Sequence, residues 1–402
     1  MTLCAERMDC VHSDIRGPLY QEALRMKAEG ISVLRLNTGN PAAFGFAMPE
    51  SVKKALSENM DRAVAYCDSR GMPQARNAIL AYHRAKGVRC IEDRDIFIGN
   101  GVSEMAEMTA TAIFNPGDEI LVPCPNYSLW TNCAHLAGAK PVFYRCDEAQ
   151  HWFPDTQDIR KKITSRTRAI LIINPNNPTG VLYSRDVLLD ILEIARENRL
   201  LVLADEIYDR LVMDGKKHES CAALAPDLNV ITYNGLSKSH VICGFRCGWM
   251  AISSPDDRLK EARDALERLS SMRLCGNVLT QLVIPAALED SASTMEMLAP
   301  GGRLFEQRKA VMEALSNAEG ISAVPNDAAF YVFPKVDVKK FRVTDDHELC
   351  MSLLKQKHIL IVPGSGFGFP TPDHFRIVML PKPDELRGAM TKILDYLNER
   401  VG

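Results

Sequence analysis

The chain has no surplus of either charge: 48 Lys and Arg stand against 51 Asp and Glu, a formal net charge of −3. That balance offers no electrostatic case for nucleic acid or for an anionic membrane surface. No apolar run approaches the roughly 20 residues of a spanning helix, so no membrane partner is expected. Met1 to Ser13 lacks the apolar stretch of a secretory signal, and the cytoplasm is the expected compartment. The 12 cysteines contain no Cys-x-x-Cys and no paired metal-ligand spacing. A disulfide scaffold is not expected in a chain with an ample core, nor is a metal. No repeat or low-complexity stretch is visible, which argues against a solenoid.

What the chain does have is length and alternation. Its 402 residues exceed one small core, which predicts a large and a smaller domain. Short apolar runs at Ile96–Gly99, Glu119–Pro123, Pro141–Arg145, Arg168–Asn174, Leu201–Asp205, Val230–Tyr233 and Trp249–Ser253 read as strands. Several are almost continuously hydrophobic, as strands buried on both faces should be. Helical patterns lie between them: Ser103–Phe114, a Ser184-initiated amphipathic stretch, and Asp256–Met272. This alternation predicts an α/β fold with a mostly parallel sheet. After Pro300-Gly301-Gly302 the pattern changes to a small α+β unit. It runs through a helix from Arg303, strands near Ile321–Val324, Ala329–Phe333, Ile359–Val362 and Phe375–Leu380, a helix near His347–Lys357, and a closing helix at Asp384–Arg400.

Chemistry-bearing residues sit at the ends of these runs. Leu-Val-Leu-Ala-Asp205-Glu206-Ile-Tyr208 ends a buried strand on a carboxylate, which is costly without a cationic partner. Asn234-Gly-Leu-Ser237-Lys238 presents an amine that can condense with an aldehyde and later move a proton. Gly244-Phe-Arg246-Cys-Gly-Trp adds a guanidinium that can fork onto a phosphate. In Gly99-Asn100-Gly101-Val102-Ser103-Glu104-Met105, glycines admit an anion to a helix N-terminus; ordinary capping by Ser103 is the alternative. Asn174-Pro-Asn-Asn177-Pro-Thr-Gly180 is rich in turn residues and could be a turn alone.

Together these segments resemble the pyridoxal phosphate site of the class I/II (fold-type-I) aminotransferases. The resemblance implies a large domain with a mostly parallel seven-stranded sheet at residues 45–290, a smaller α+β domain at 291–402, and residues 1–44 packed on the latter. It implies pyridoxal 5'-phosphate as cofactor. Lys238, Asp205 and Tyr208 would be catalytic: Lys238 holds the cofactor, Asp205 pairs with its ring nitrogen, and Tyr208 and Asn177 bond its phenolic oxygen. Gly101, Val102, Ser103, Ser237 and Arg246 would take the phosphate. Tyr127, in Pro123-Cys-Pro-Asn-Tyr-Ser-Leu-Trp130, matches a residue stacked on the ring; a packed core tyrosine is the alternative. Tyr66 matches a tyrosine that reaches the cofactor phosphate of a neighbouring subunit, which implies a homodimer.

An amino acid and its 2-oxo acid, the implied substrates, share an α-carboxylate that a planar guanidinium grips with two bonds. Arg376, in His374-Phe-Arg-Ile-Val-Met, resembles the family's α-carboxylate arginine. Gly39, in Leu36-Asn-Thr-Gly-Asn-Pro41, resembles the glycine beside the substrate. Asp14-Ile-Arg-Gly-Pro18, Tyr66-Cys-Asp-Ser, Ser271-Met-Arg273-Leu-Cys-Gly-Asn277 and Pro300-Gly-Gly-Arg-Leu304 are similar to the glutamate–pyruvate (alanine) branch. L-alanine plus 2-oxoglutarate is therefore the expected pair. Arg273 is either a partner for the glutamate side chain or part of an interface salt bridge. The chain departs from that branch at Ser-His240-Val-Ile-Cys243 and at Cys247, which alters the wall behind the cofactor. Two rivals keep the same chemical residues: transamination of aspartate or a branched-chain amino acid, and carbon–sulfur β-lysis. A non-catalytic regulator on this fold is a third.

Overall fold

The computed structural model describes residues 3–401. All seven expected strands are present and lie in one sheet. In spatial order they are Ile96–Asn100, Cys247–Ser253, Val230–Gly235, Leu201–Asp205, Thr167–Ile173, Glu119–Cys124 and Lys140–Asp147. A two-residue strand, Phe153–Pro154, adds antiparallel at the far edge and makes eight. The strands from Val230 to Lys140 run parallel, and Cys247–Ser253 is antiparallel to both of its neighbours.

The continuous apolar runs have a two-sided explanation. Along Thr167–Ile173, Ala169, Leu171 and Ile173 enter one buried cluster, while Ile170 and Ile172 enter the other. Successive strand side chains point to opposite faces, so both sets are buried only if both faces are covered. Each such isoleucine or leucine contributes about 1.5–3 kcal/mol on burial. The helix Arg185–Glu197 covers one face with Leu188, Ile191, Leu192 and Ala195, spaced at three and four. Ser184 caps it, its Oγ accepting from Val187 N–H at 3.3 Å.

Two helix starts differ from expectation. The first begins at Val102, with Gly101 as its cap at φ 89°, so Ser103 lies inside the first turn. The second begins at Lys260, not Asp256. There the Asp256 carboxylate accepts from Arg258 N–H at 3.3 Å and Asp257 turns left-handed at φ 54°, which delays the helix.

A second core holds the chain's two ends together. Leu19, Ala23 and Met26 of the helix Pro18–Ala28 pack with Leu353, Leu386, Met390 and Ile393. Leu34–Arg35 pairs parallel with Ile359–Leu360. Beside it, Phe375–Val378 is flanked antiparallel by Tyr331–Val332 and Val362–Pro363. The expected strand Ala329–Phe333 is thus shorter, because Ala329 sits at φ 60°. Among the described residues, no helix is long and apolar enough to cross a membrane.

Candidate active site

Ligand crevices of parallel sheets lie outside the carboxyl ends of the strands. Here Asp205 ends its strand beside Ile173 and Tyr233 of the neighbouring strands. A cavity of about 710 Å³ opens at that point.

The floor of the cavity is acidic. Asp205 is buried, and its Oδ2 accepts from Trp130 Nε1 at 2.9 Å. Its Oδ1 accepts from Ile207 N–H at 3.2 Å. Burial pushes the Asp205 carboxyl up to about 6, with both hydrogen bonds pulling the other way. The next residue behaves oppositely. Burial would also raise Glu206, but the Lys86 ammonium 2.9 Å away holds it below the usual carboxylate range. Lys86 also pairs with Asp209 at 2.8 Å, so the cluster of Glu206, Asp209 and His218 is already supplied with a cation. Asp205 has no such ion-pair partner among the described residues. It faces the cavity, where a cationic ring nitrogen would offset its burial.

One wall is built to receive an anion. The helix Val102–Ile113 opens onto the cavity with Val102 and Ser103 and has no side-chain cap, so its first N–H groups and its dipole are free. Ser237 and Arg246 line the same cavity. A Cβ on Gly101 would stand 2.5 Å from Arg246 Nη2. A Cβ on Gly248 would stand 2.5 Å from the Gly101 carbonyl carbon. The two glycines therefore let helix start, strand and guanidinium converge. Arg246 is tied down through Nη1 to the Cys243 carbonyl at 3.0 Å.

Between floor and anion wall stands Lys238, whose Nζ donates to the Gly39 carbonyl at 3.1 Å. That bond brings the N-terminal loop to the amine. Tyr127 and Asn177 also line the cavity. So does Tyr208, whose hydroxyl is 2.9 Å from that of Tyr331. Burial and the Tyr331 hydroxyl push the Tyr208 phenol well up.

Arg376 closes the other side. It is 1% exposed, and burial lowers its affinity for the proton. Its Nη1 donates to Asn177 Oδ1 at 3.0 Å and its Nη2 to the Asn37 carbonyl. The guanidinium lies 4.7 Å from the centre of the Tyr331 ring and 4.8 Å from that of Phe367. Among the described residues no carboxylate pairs with it. A buried, preoriented guanidinium without a counter-ion is suited to receive a carboxylate.

Gly39, Val102, Ser103, Tyr127, Asn177, Asp205, Tyr208, Ser237, Lys238, Arg246 and Arg376 thus meet on one cavity, with Gly101 directly behind it. Tyr66 does not join them; it is 80% exposed. Nor does Arg273, which pairs with Glu104 at 3.4 Å and the Ile98 carbonyl at 2.8 Å. Of the unusual residues after Lys238, Cys243 lines the cavity. His240 instead is buried against the Ala287 carbonyl at 2.5 Å, and Cys247 against Thr280. Three contributors escaped the sequence: Trp130, Tyr331 and the Asn37 carbonyl. Trp130 could have been found, since it lies three residues past Tyr127, in the first turn of the helix Leu129–Leu136.

Known proteins resemble this chain along nearly its whole length. The family profile "Aminotransferase class I and II" matches residues 31–393. Glutamate-pyruvate aminotransferase AlaA of Escherichia coli K12 is 47% identical over 98% of this chain and 97% of its own length. Alanine aminotransferase of Mycobacterium tuberculosis H37Rv is 42% identical over 96% of this chain and 90% of its own. The crystal structure of an aminotransferase from Escherichia coli superposes with a TM-score of 0.97 at 46% identity, covering 99% of this chain and 98% of that one. With the family profile spanning most of the sequence and these likenesses running nearly end to end, the chain belongs to the class I and II aminotransferases.

Proposed function

We propose that this aminotransferase uses pyridoxal 5'-phosphate to convert L-alanine and 2-oxoglutarate into pyruvate and L-glutamate. The observation that carries the reading is Arg376, a buried guanidinium without a counter-ion on the same cavity as the Lys238 amine. Every substrate in that reaction has an α-carboxylate for the first and a reacting carbon for the second. The alanine preference is supported by the names of the relatives at 47% and 42% identity.

The residues present fit the cofactor. Its phosphate matches the Gly101–Ser103 helix start with Ser237 and Arg246, and its ring nitrogen matches the Asp205 carboxylate. Tyr127 would lie on the ring, and Tyr208 and Asn177 would bond its phenolic oxygen. When bound, the cofactor supplies an aldehyde for amine exchange and a ring that accepts electrons from the substrate's Cα. Lys238 Nζ would hold the cofactor's aldehyde and, when its amine is free, would move the Cα proton of the substrate. Asp205 would keep the ring nitrogen protonated. Arg376, with Gly39 beside it, orients the carboxylate so that the Cα–H bond faces Lys238. The first half-reaction would release pyruvate before 2-oxoglutarate enters, and the second would release L-glutamate, so kinetics should be ping-pong.

The same reading makes residues 45–290 the cofactor domain and 291–402 the smaller domain, with 1–44 packed on the latter. It also makes the protein a homodimer. Tyr66 stands among exposed apolar side chains, Val64, Met272 and Leu274, whose segments are joined by the 3.3 Å Ser69–Ser271 hydrogen bond. A second copy seated there would bring Tyr66 towards its neighbour's phosphate.

The test is spectroscopic. The protein is loaded with pyridoxal phosphate, its visible absorbance is recorded, and L-alanine is added. Loss of the band with one equivalent of pyruvate, restored by 2-oxoglutarate, is the expected result. A faster response to aspartate or valine would reassign the donor. Continuous pyruvate release from cystathionine without a 2-oxo acid would move the protein to β-lysis.

A further inference from the structure

One cation on the cavity wall has no part in that account. Arg16 lines the cavity from the short turn Asp14–Arg16. Among the described residues its guanidinium has no ion-pair or hydrogen-bond partner, and it stands on the solvent side. Its backbone is nonetheless held. The Asn132 amide exchanges two hydrogen bonds with the His12 backbone, at 3.2 and 2.7 Å. Asn37 Nδ2 donates to the Ile15 carbonyl at 2.8 Å. The carbonyl of that same Asn37 accepts from Arg376 Nη2. One asparagine therefore ties the turn that carries Arg16 to the receptor for the α-carboxylate.

We propose that Arg16 binds the distal carboxylate of the five-carbon pair, 2-oxoglutarate and L-glutamate. The inference rests on the alanine–2-oxoglutarate reading above. Such a substrate has two carboxylates separated by three carbons, and needs a second guanidinium once Arg376 holds the first. Alanine and pyruvate end in a methyl group and need none. An arginine at the mouth serves both: it closes on a carboxylate, or stays hydrated beside Ile15 and Leu129 when the small pair is bound. The other arginines are committed. Arg246 belongs to the anion wall, and Arg273 is off the cavity, bonded to Glu104 and Ile98.

The test compares Arg16→Gln, Arg16→Lys and Arg273→Gln with the wild type, each full-length and cofactor-loaded. Arg16→Gln should raise KM for 2-oxoglutarate and L-glutamate at least about tenfold, while KM for pyruvate and L-alanine moves less than about twofold. Calorimetry should show glutarate binding weakened by a similar factor, propionate binding unchanged, and partial recovery in Arg16→Lys. The bound-cofactor absorbance should stay as in the wild type. Equal losses for both pairs, no change, a lost cofactor band, or selective loss in Arg273→Gln instead would overturn the assignment. A wild-type protein that accepts alanine but never 2-oxoglutarate would sink the acceptor itself. One that uses 2-oxoglutarate with indifference to Arg16→Gln sinks Arg16 alone.

Discussion

The indole Nε1 of Trp130 donates to Asp205 Oδ2 at 2.9 Å, joining a helix to a strand end 75 positions away. The bond favours the charged carboxylate against its own burial. It therefore supports the acid on the cavity floor that could pair with a cationic ring.

Replacing Trp130 with Phe keeps an aromatic in the core and removes that donor. An unsatisfied buried carboxylate oxygen costs about 1–3 kcal/mol. We expect the Asp205 carboxyl to rise further, pyridoxal phosphate to bind about tenfold more weakly, and the acid limb of the kcat profile to move to higher pH. An unchanged pH profile would remove Trp130 from this role.

Asp205→Asn tests the charge itself. The folded carboxyl stands near 6 against an ordinary 3.8, so between those values the folded chain binds more protons than the unfolded one. The contribution of this group to stability is present below about pH 4, falls as pH rises to about 6, and stays lost above. In cofactor-free protein, the Tm of Asp205→Asn relative to wild type should therefore increase from pH 4 to pH 7. A constant difference would mean Asp205 is not charged against its surroundings.

Gly101→Ala addresses the anion wall. The new methyl meets Arg246 Nη2 at 2.5 Å, and the backbone at φ 89° disfavours any side chain. Backbone strain of about 1–2 kcal/mol is expected, with loss of phosphate affinity as the larger effect. Fluorescence titration with pyridoxal phosphate should show Kd raised at least about tenfold. Tight binding in this variant would place the phosphate elsewhere.

Lys238→Ala should abolish the visible band of the lysine-bound cofactor. Turnover should fall by more than about 10³-fold, since both the covalent hold and the proton carrier go. Exogenous methylamine should recover a little activity. Near-normal rates would dismiss the assignment.

Arg376→Lys separates the two carboxylate sites. A lysine keeps the charge but loses the planar fork. KM should rise for all four substrates together, by roughly 10- to 100-fold. A rise confined to the dicarboxylates would exchange the roles of Arg376 and Arg16.

Much of this was legible beforehand. The strands were visible because a strand buried on both faces has no polar alternation, and all seven lie where the apolar runs stood. Asp205 stood out because a charge ends an apolar run where a core strand needs none; Lys238 and Arg246 were legible only through their neighbours and the resemblance to a family's motifs. Tyr331 was not, since its expected strand told only of burial, and its hydroxyl meets Tyr208 123 positions away. Arg16 lay in a segment similar to the glutamate–pyruvate branch, Asp14-Ile-Arg-Gly-Pro18, but an arginine in a polar turn carries no sign of its own that it stands on a cavity.

The amino-acid order by itself determined the alternation of strands and helices, the glycine-lined helix start and the set of reactive groups. Those properties are local, set by the direction in which successive side chains point and by which backbone angles a residue tolerates. Only the tertiary structure decided that Arg376 reaches Asn177 across 199 positions, that Asp205 is held by Trp130 while its neighbour Glu206 belongs to Lys86, and that Arg16 stands on the cavity while Arg273 does not. Hydrogen bonds and ion pairs act over a few ångströms, so which charges are satisfied and which remain free for a substrate is settled when distant segments pack together.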